Sequence, residues 1–118
     1  MVDDQGVIFF TDSGDFGETS LSKPEGSVFC ISGKERVLTP LLYKCLVHPA
    51  GIAVHGADKQ QVVYVAEQGR NRILRGVQYP TKGVWNVSVF HQFAGGVGPA
   101  GVCVDEDGNV YVARADFG

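Results

Sequence analysis

An internal repeat constrains this chain more than any other feature. Residues 2–10 (VDDQGVIFF) and 104–112 (VDEDGNVYV) align without a gap, and residues 62–67 (VVYVAE) carry a third copy. The aromatic positions recur at steps of 55 and 47 residues (64 − 9 and 111 − 64): Phe9, Tyr64 and Tyr111. Short runs of Val, Ile, Phe and Tyr between Gly, Pro, Asp and Asn are typical of strands and turns. The sequence therefore predicts an all-β chain built from repeated units.

The length of the repeat indicates the kind of unit. A period of about 40–50 residues made of short strands is typical of a β-propeller blade. The pattern predicts an incomplete first blade at residues 1–47, a complete blade at 48–97 and the first half of a third at 98–118, in one propeller segment. Propellers have about four to eight blades of four strands each. We therefore expect a partial propeller of about two four-stranded blades.

Composition and charge exclude several classes of function. A net charge of −3 argues against a nucleic-acid partner, because nucleic-acid binders carry a basic face. No apolar run reaches the roughly 18 residues that a membrane span needs. Of the three cysteines, Cys30 and Cys103 lie in apolar strand-like segments and are expected to be buried free thiols. Free thiols fit a reducing compartment and slightly favour a cytoplasmic location.

A piece of about two blades is expected to leave two broad sheet faces bare, and such apolar patches are larger than monomers usually tolerate. We expect the remaining blades of a larger propeller, or copies of the same chain, to cover them. The start and the end of the chain share a phase in the repeat, so three copies could supply six blades by closed symmetry. A truncated or excised piece of a longer propeller protein is the favoured alternative.

Three segments carry a resemblance to a known superfamily. They are Pro-Ala-Gly-Ile-Ala-Val at 49–54, Val-Tyr-Val-Ala-Glu at 63–67 and Gly-Arg-Asn-Arg-Ile-Leu-Arg at 69–75. Together they resemble a blade of the gluconolactonase/regucalcin and strictosidine-synthase-like superfamily. The last repeat, from residue 99 to 113, is equally similar to NHL repeats. Both resemblances imply a six-bladed propeller.

The resemblance also carries an expectation about a metal ion. Enzymes of the superfamily bind one divalent cation, usually Ca²⁺, through oxygen donors at the starts of inner strands, and two such positions fall within this chain. The lactonase pattern reads Pro-Asn-Gly and Pro-Asp-Gly there, whereas this chain has alanine at both, Ala50 and Ala100. Alanine offers no side-chain oxygen to a cation that requires oxygen ligands. We therefore expect no metal ligand and no cofactor from this segment.

Three side chains are candidates for the rim of the propeller channel. Asp12 and Glu67 occupy equivalent places at the end of a second strand, where they could act as carboxylates or accept structural hydrogen bonds. The third copy has Arg114 at that place. His48 precedes the Pro49 turn, where a neutral imidazole could serve as base or ligand or play only a structural part. The catalytic residues themselves stay unassigned.

Other polar and aromatic residues are expected to be structural. Arg70, Arg72 and Arg75 could form an anion-binding spot. Arg72 and Arg75 lie three apart on a short strand, so they face opposite sides, and a solvated turn with one salt bridge between blades is the favoured alternative. Trp85, Tyr79 and Phe93 are expected to pack between blades.

By resemblance, the whole protein is expected to act on a small molecule as a lactone or ester hydrolase, without a complete catalytic or metal site in this chain. The two alanines leave the assignment as an enzyme open. The alternative is a non-enzymatic, NHL-like propeller that binds another protein.

Overall fold

The structure, a computed structural model, describes residues 1–2, 6–14, 23–32, 34–57, 60–78 and 85–115. Within these ranges the chain forms three antiparallel sheets. The first sheet contains β1 (Ile8–Asp12), β2 (Gly26–Ile31) and β3 (Leu38–Leu46). The second contains β4 (Pro49–Ala57), β5 (Gln60–Glu67), β6 (Arg72–Gln78) and β7 (Trp85–Gln92). The third contains β8 (Gly98–Val104) and β9 (Val110–Ala115), and the prediction of an all-β fold is confirmed.

The strands of each sheet follow one another in chain order, β1-β2-β3, β4-β5-β6-β7 and β8-β9. The only helical turn among the described residues is a short 3₁₀ helix, Gln68–Arg70, between β5 and β6. None of the helical structure described is long and apolar enough to cross a membrane. The assignment of whole blades stays a prediction.

The second sheet lies between the other two, and β5 shows why. Successive side chains of a strand point to opposite faces. Val63 and Val65 share one buried cluster with Phe9 and Val28 of the first sheet. Tyr64 and its neighbours on the other face pack against four valines of the third sheet: Val102, Val104, Val110 and Val112. Because β5 is covered on both faces, it reads as a nearly continuous apolar run in the sequence.

Local sequence features account for the edges of the sheets. Pro40 cannot donate a backbone hydrogen bond and lies in β3, which forms one edge of the first sheet, where proline is tolerated. Trp85 packs edge-on against Phe9 with ring centres 6.2 Å apart, which confirms its predicted place between two sheets. Phe93 packs against the cluster around Tyr64. Tyr79 lies outside the described residues.

The expected burial of the cysteines is wrong for Cys103. Cys103 is exposed and Cys30 is half-buried, and Cys45 is also exposed. Val102 and Val104 face the second sheet, so the intervening Cys103 points to the free face of the two-stranded third sheet. An apolar run identifies a strand here, but it does not show that both faces of that strand are covered.

Candidate functional site

The starts of the inner strands β4 and β8 lie side by side. A methyl group placed on Gly51 would lie 3.0 Å from the Cα atom of Gly101, so the two backbones are in direct contact. The ends of β1 and β5 adjoin these starts, because Ser13 bonds to Pro49 at the start of β4 and Gln68 bonds to His48 just before it. We call this group the rim; it contains residues 12–13, 48–50, 67–68 and 98–100.

Each inner strand begins with the same irregularity. Pro49 pairs with Glu67 and Gly51 with Ala66, so Ala50 is the extra residue of a β-bulge. Pro99 and Gly101 pair with Arg114 and Ala113 in the same way, which makes Ala100 the bulged residue of β8. Bulges re-aim side chains and are frequent beside active sites. Here both bulged positions carry only a methyl group, so neither presents a side-chain oxygen, and their side chains do not fit the ligand set of a Ca²⁺ site.

His48 lies immediately before the first bulge in an unusual backbone conformation. Its φ angle is 50°, in the left-handed region, and its side chain is exposed. One repeat later the same place is taken by Gly98, with a φ angle of 107°. Non-glycine residues in this region cost about 1–3 kcal/mol and persist where the surroundings fix them, often at functional sites. The structure therefore places an exposed imidazole at a position whose backbone favours glycine.

The turn carrying His48 is fixed by the end of β5. The carboxylate of Glu67 is fully buried and accepts a hydrogen bond from the backbone N–H of Val47 at 2.8 Å. The next two residues add backbone bonds: the Gln68 N–H donates to the His48 carbonyl at 3.1 Å, and the Gly69 N–H donates to the Val47 carbonyl at 2.9 Å. Glu67, Gln68 and Gly69 thus hold the backbone of Val47 and His48 through three hydrogen bonds.

Two guanidinium groups compensate the buried charge of Glu67. Arg70 donates to one carboxylate oxygen at 2.9 Å and Arg72 to the other at 2.5 Å. Arg70 also donates to the carbonyl of Cys45 at 3.1 Å, which joins the first sheet to the second. The prediction of a solvated arginine turn missed this buried node, because arginine positions alone do not show which carboxylate they surround.

Asp12 differs from Glu67 although the two occupy equivalent places in the repeat. Asp12 is exposed, and its Oδ1 atom accepts a hydrogen bond from the Gly14 N–H at 3.0 Å. The neighbouring Ser13 hydroxyl donates to the Pro49 carbonyl at 2.7 Å, across 36 residues of sequence. Sequence reasoning passed over Ser13, whose place directly after Asp12 matches that of Gln68 after Glu67.

Arg114 occupies the same place in the third copy and bonds to backbone groups of the opposite kind. Its Nη2 atom donates to the carbonyls of Ala94 at 3.3 Å and Gly95 at 2.6 Å. The guanidinium also lies over the Phe93 ring, 4.5 Å from its centre. The end of the second strand thus bonds to the preceding turn between sheets in both copies, by an anion in one and by a cation in the other.

A second ordered polar cluster lies in the turn between β8 and β9. The Asp105 carboxylate accepts hydrogen bonds from the backbone N–H groups of Asp107 and Asn109, the Asn109 side chain and the Tyr111 hydroxyl, at 2.8–3.1 Å. The Asn109 side chain is the main cause of a lowered pKa for Asp105, and the bond to Asp105 raises the pKa of Tyr111. His55 Nε2 donates to the Glu106 carbonyl at 3.1 Å, so that histidine has a structural partner.

The chemistry that the rim can perform follows from these contacts. Both oxygens of Glu67 are bonded and buried, whereas His48 and Asp12 remain accessible to a small molecule. Among the described residues, no group of three or more His, Cys, Asp or Glu side chains could hold a metal ion. The rim therefore offers polar backbone groups, one imidazole and one carboxylate.

Comparison with known proteins identifies the family. The SMP-30/Gluconolactonase/LRE-like region matches residues 1–118. Lactonase drp35 of Staphylococcus haemolyticus (strain JCSC1435) is 30% identical over 115 residues, which are 94% of this chain and 33% of the relative. Lactonase drp35 of Staphylococcus aureus (strain USA300) is 31% identical over the same shares of both chains. The chain thus spans about a third of the length of these curated relatives.

A structural match supports the same assignment. A gluconolactonase from Xanthomonas campestris superimposes with a TM-score of 0.69 at 23% identity, over 96% of this chain and 39% of that chain. The likeness shows that the three sheets have the fold of part of that protein, and the matched relatives favour a lactonase-like assignment over the NHL-like alternative. With both the repeat and the resemblance of its blades accounted for, the chain belongs to the SMP-30/gluconolactonase/LRE-like family.

Proposed function

We propose that the protein hydrolyses a lactone or a related ester, and that this chain contributes two neighbouring inner-strand starts to the rim of the small-molecule site. The observation that carries the proposal is the pair of equivalent β-bulges at Ala50 and Ala100, in direct backbone contact, within a chain of a lactonase-like family. The drp35 relatives are named lactonases and the matched structure is named a gluconolactonase, which supports the substrate class.

In this proposal His48 is the residue of the rim that contacts the substrate. It is exposed, lies next to the first bulge and keeps a left-handed backbone where the next repeat has glycine. A neutral imidazole can accept a proton from an attacking water near neutral pH. Glu67 positions the turn through Val47 and does not itself face the substrate.

The family's divalent cation does not fit the two bulged positions as they stand. Neither Ala50 nor Ala100 has a side-chain oxygen, and a Ca²⁺ site takes about six to eight oxygen ligands. We propose that this part of the rim binds the substrate through backbone polar groups and His48. No step of the reaction is assigned to a metal at these positions.

The direct test is a titration of the ¹⁵N-labelled chain with gluconolactone and, separately, with its open hydroxy acid. We expect amide shift changes that centre on His48, Ala50, Gly98 and Ala100, together with line broadening of the His48 imidazole. Shift changes confined to the outer strand β7, or none with either compound, would refute the proposal. The loss of lactone is followed in the same samples. The His48→Asn variant keeps a residue that tolerates a left-handed backbone, and we expect smaller amide shift changes at the rim residues when lactone is added to it.

The metal part of the proposal has its own test. Calorimetric titration with Ca²⁺ is expected to show no micromolar site at the bulges. A micromolar site that disappears in an Ala50→Val variant would contradict the expectation. The lactone titration is run with and without a chelator, and equal shifts under both conditions are expected.

We also propose that the whole protein is a six-bladed propeller in which further blades cover the two free sheet faces. On the first sheet, Phe10 and Phe29 stack with ring centres 5.4 Å apart beside Tyr43, which is 61% exposed. On the third sheet, Tyr111 is 57% exposed. Light scattering tests the alternative of self-association: a particle of about three chains would favour a closed trimer, whereas a monomer would exclude it.

A further inference from the structure

A groove runs between the outer strands of the first two sheets, and none of the described residues that line it belongs to the rim. It is open along one side, has a volume of about 320 Å³ and is lined by Leu42, Cys45, Arg72, Val87 and Val89 among other described residues. A narrower apolar gap of about 20 Å³ continues it toward Trp85. The two spaces share Leu42, Leu74 and Val87 as walls. Ligand sites are usually apolar clefts of about 300–1,000 Å³ with few polar groups, and the groove meets that description.

The narrow gap is a consequence of one glycine. Gly76 lies in the interior of β6 and lines the gap, where most strand residues would place a side chain. A methyl group there would meet Trp85 at 3.6 Å and Val87 at 3.7 Å, which are ordinary contact distances. Glycine within a strand weakens it and often marks a place where something else approaches closely. The groove therefore has room at its inner end that alanine would fill without strain.

Charge at the other end of the groove is unbalanced. The buried node contains one carboxylate, Glu67, and two guanidinium groups, which leaves a formal charge of +1. No second carboxylate forms a salt bridge to Arg70 or Arg72 within the described part of the chain. Arg72 bonds to Glu67 through Nε, keeps 24% of its side chain exposed and lines the groove. Its planar group presents further N–H donors that suit a second carboxylate.

We propose that this groove binds a small amphipathic carboxylate, with its charged head on Arg72 and its apolar tail along Leu42 and Val87 toward Trp85. Charge complementarity fixes the head, and the apolar walls fix the tail. Residues 72 and 76 lie about 13 Å apart along a strand that rises about 3.3 Å per residue, a span comparable with the length of a medium-chain fatty acid. Arg72 bonds to Glu67 of the rim, but none of the described residues that line the groove belongs to the rim, and the proposed binding does not depend on the proposed hydrolysis.

Trp85 makes the site directly measurable, because it is the only tryptophan of the chain. Octanoate is added to the chain below its micelle concentration while the Trp85 emission is recorded, and octanol serves as an uncharged probe of matched length. We expect a saturable change with octanoate and affinity at least about tenfold lower with octanol, because the alcohol cannot pair with Arg72. Equal affinity for both probes, or no saturable change, would overturn the proposal.

Two variants and one matched control complete the test. Arg72→Gln is expected to lower octanoate affinity at least about tenfold, whereas Arg75→Gln should leave it unchanged. Arg75 lies on the same strand but bonds to Tyr64 on the opposite face. Because Arg72→Gln also disturbs Glu67, Gly76→Ala provides a second variant that is expected to fold with a higher urea midpoint. Gly76→Ala should lower the affinity for octanoate several-fold, because the added methyl group fills the gap. Unchanged affinity in this stable variant would contradict the proposed position of the tail.

Discussion

The two turns that connect the sheets do the same task with different chemistry. The first, residues 47–48 between β3 and β4, is held by the buried anion Glu67 and by backbone N–H groups of the 3₁₀ turn. The second, residues 93–97 between β7 and β8, is held by donors: Gln92, Asn71 and Arg114 all bond to carbonyl groups in or beside it. The first turn thus presents a backbone N–H to the side chain at the end of the second strand, and the second presents carbonyls.

Comparison of the two turns shows that the copies of the repeat share the position of a bonding side chain but not the sign of its charge. Glu67 and Arg114 both end a second strand and pair with the proline that begins the inner strand, Pro49 or Pro99. Their opposite charges match the backbone groups that each turn presents. The repeat therefore specifies where a side chain bonds to the turn, and the conformation of that turn specifies the sign of its charge.

Removing Glu67 is expected to have the largest effect on this comparison. Glu67→Ala leaves two guanidinium groups without their carboxylate and the Val47 N–H without its partner. Breaking a buried pair from one side costs about 3–5 kcal/mol. Arg114→Ala removes bonds to exposed carbonyls and should cost about 1–2 kcal/mol. Urea unfolding of both variants measures the two losses in free energy of unfolding.

Glu67→Gln serves as the control for the first experiment. Its amide oxygen can still accept the Val47 N–H, so a smaller loss than in Glu67→Ala is expected. If Glu67→Ala destabilised the chain no more than Arg114→Ala, the two turns would be energetically equivalent and the buried anion would have no special part in the first.

Gly69, which contacts the first turn from the 3₁₀ helix, and Gly95, which lies within the second turn, are expected to respond differently to substitution. A methyl group on Gly69 would lie 2.1 Å from Val47 Cγ1, so Gly69→Ala overpacks the first turn and should cost about 1–3 kcal/mol. Gly95 has a φ angle of 73° and open space around it, so Gly95→Ala meets only backbone strain of about 1–2 kcal/mol.

Substitution by asparagine separates these two causes. Asparagine tolerates a left-handed backbone, so Gly95→Asn should recover much of the loss seen with alanine. Gly69→Asn should be worse than Gly69→Ala because its side chain is larger. The urea midpoints of the four variants are compared. If asparagine changed stability relative to alanine in the same direction at both positions, one cause would account for both losses.

His48 and Gly98 allow the comparison to be tested at equivalent positions. His48→Gly removes the strain of a left-handed histidine, and after the entropy of glycine is subtracted a net stabilisation of about 0.5–1 kcal/mol is expected. In the same variant, lactone should no longer change the amide chemical shifts of the rim residues. If His48→Gly lowered the urea midpoint instead, the imidazole would have a structural part, and the proposed contact with substrate would lose its support.

The sequence predicted the sheets well because the information is local. Alternating apolar residues, turn residues and the repeat predict an incomplete blade, a complete blade and half of a third without any knowledge of distant contacts, and the three sheets contain three, four and two strands. The position of Trp85 between two sheets followed from the same kind of reasoning. Equivalent positions such as Ala50 and Ala100 could be recognised before the β-bulges were visible.

The environment of each side chain was less accessible from the sequence. Asp12 and Glu67 are equivalent in the repeat, yet one is exposed and the other is fully buried between two arginines. That difference depends on Arg70 and on the turn of the neighbouring sheet, which the repeat does not encode. Cys103 was misjudged for a related reason, since the burial of a strand face depends on the sheet that covers it.

The smallest effect is expected in the turn between β8 and β9, which follows the second of the two turns along the chain. Hydrogen bonds, first from the Asn109 side chain, hold the pKa of Asp105 below its usual range. A carboxylate with a lowered folded pKa stabilises the fold above its unfolded pKa of about 3.9, and this contribution is lost as the pH falls through the folded value. Acidification should therefore loosen the turn, and the protection factors of the Asp107 and Asn109 amides against hydrogen exchange should fall. Asp105→Asn should remove this pH dependence, whereas an unchanged acid response in that variant would assign the effect to another group.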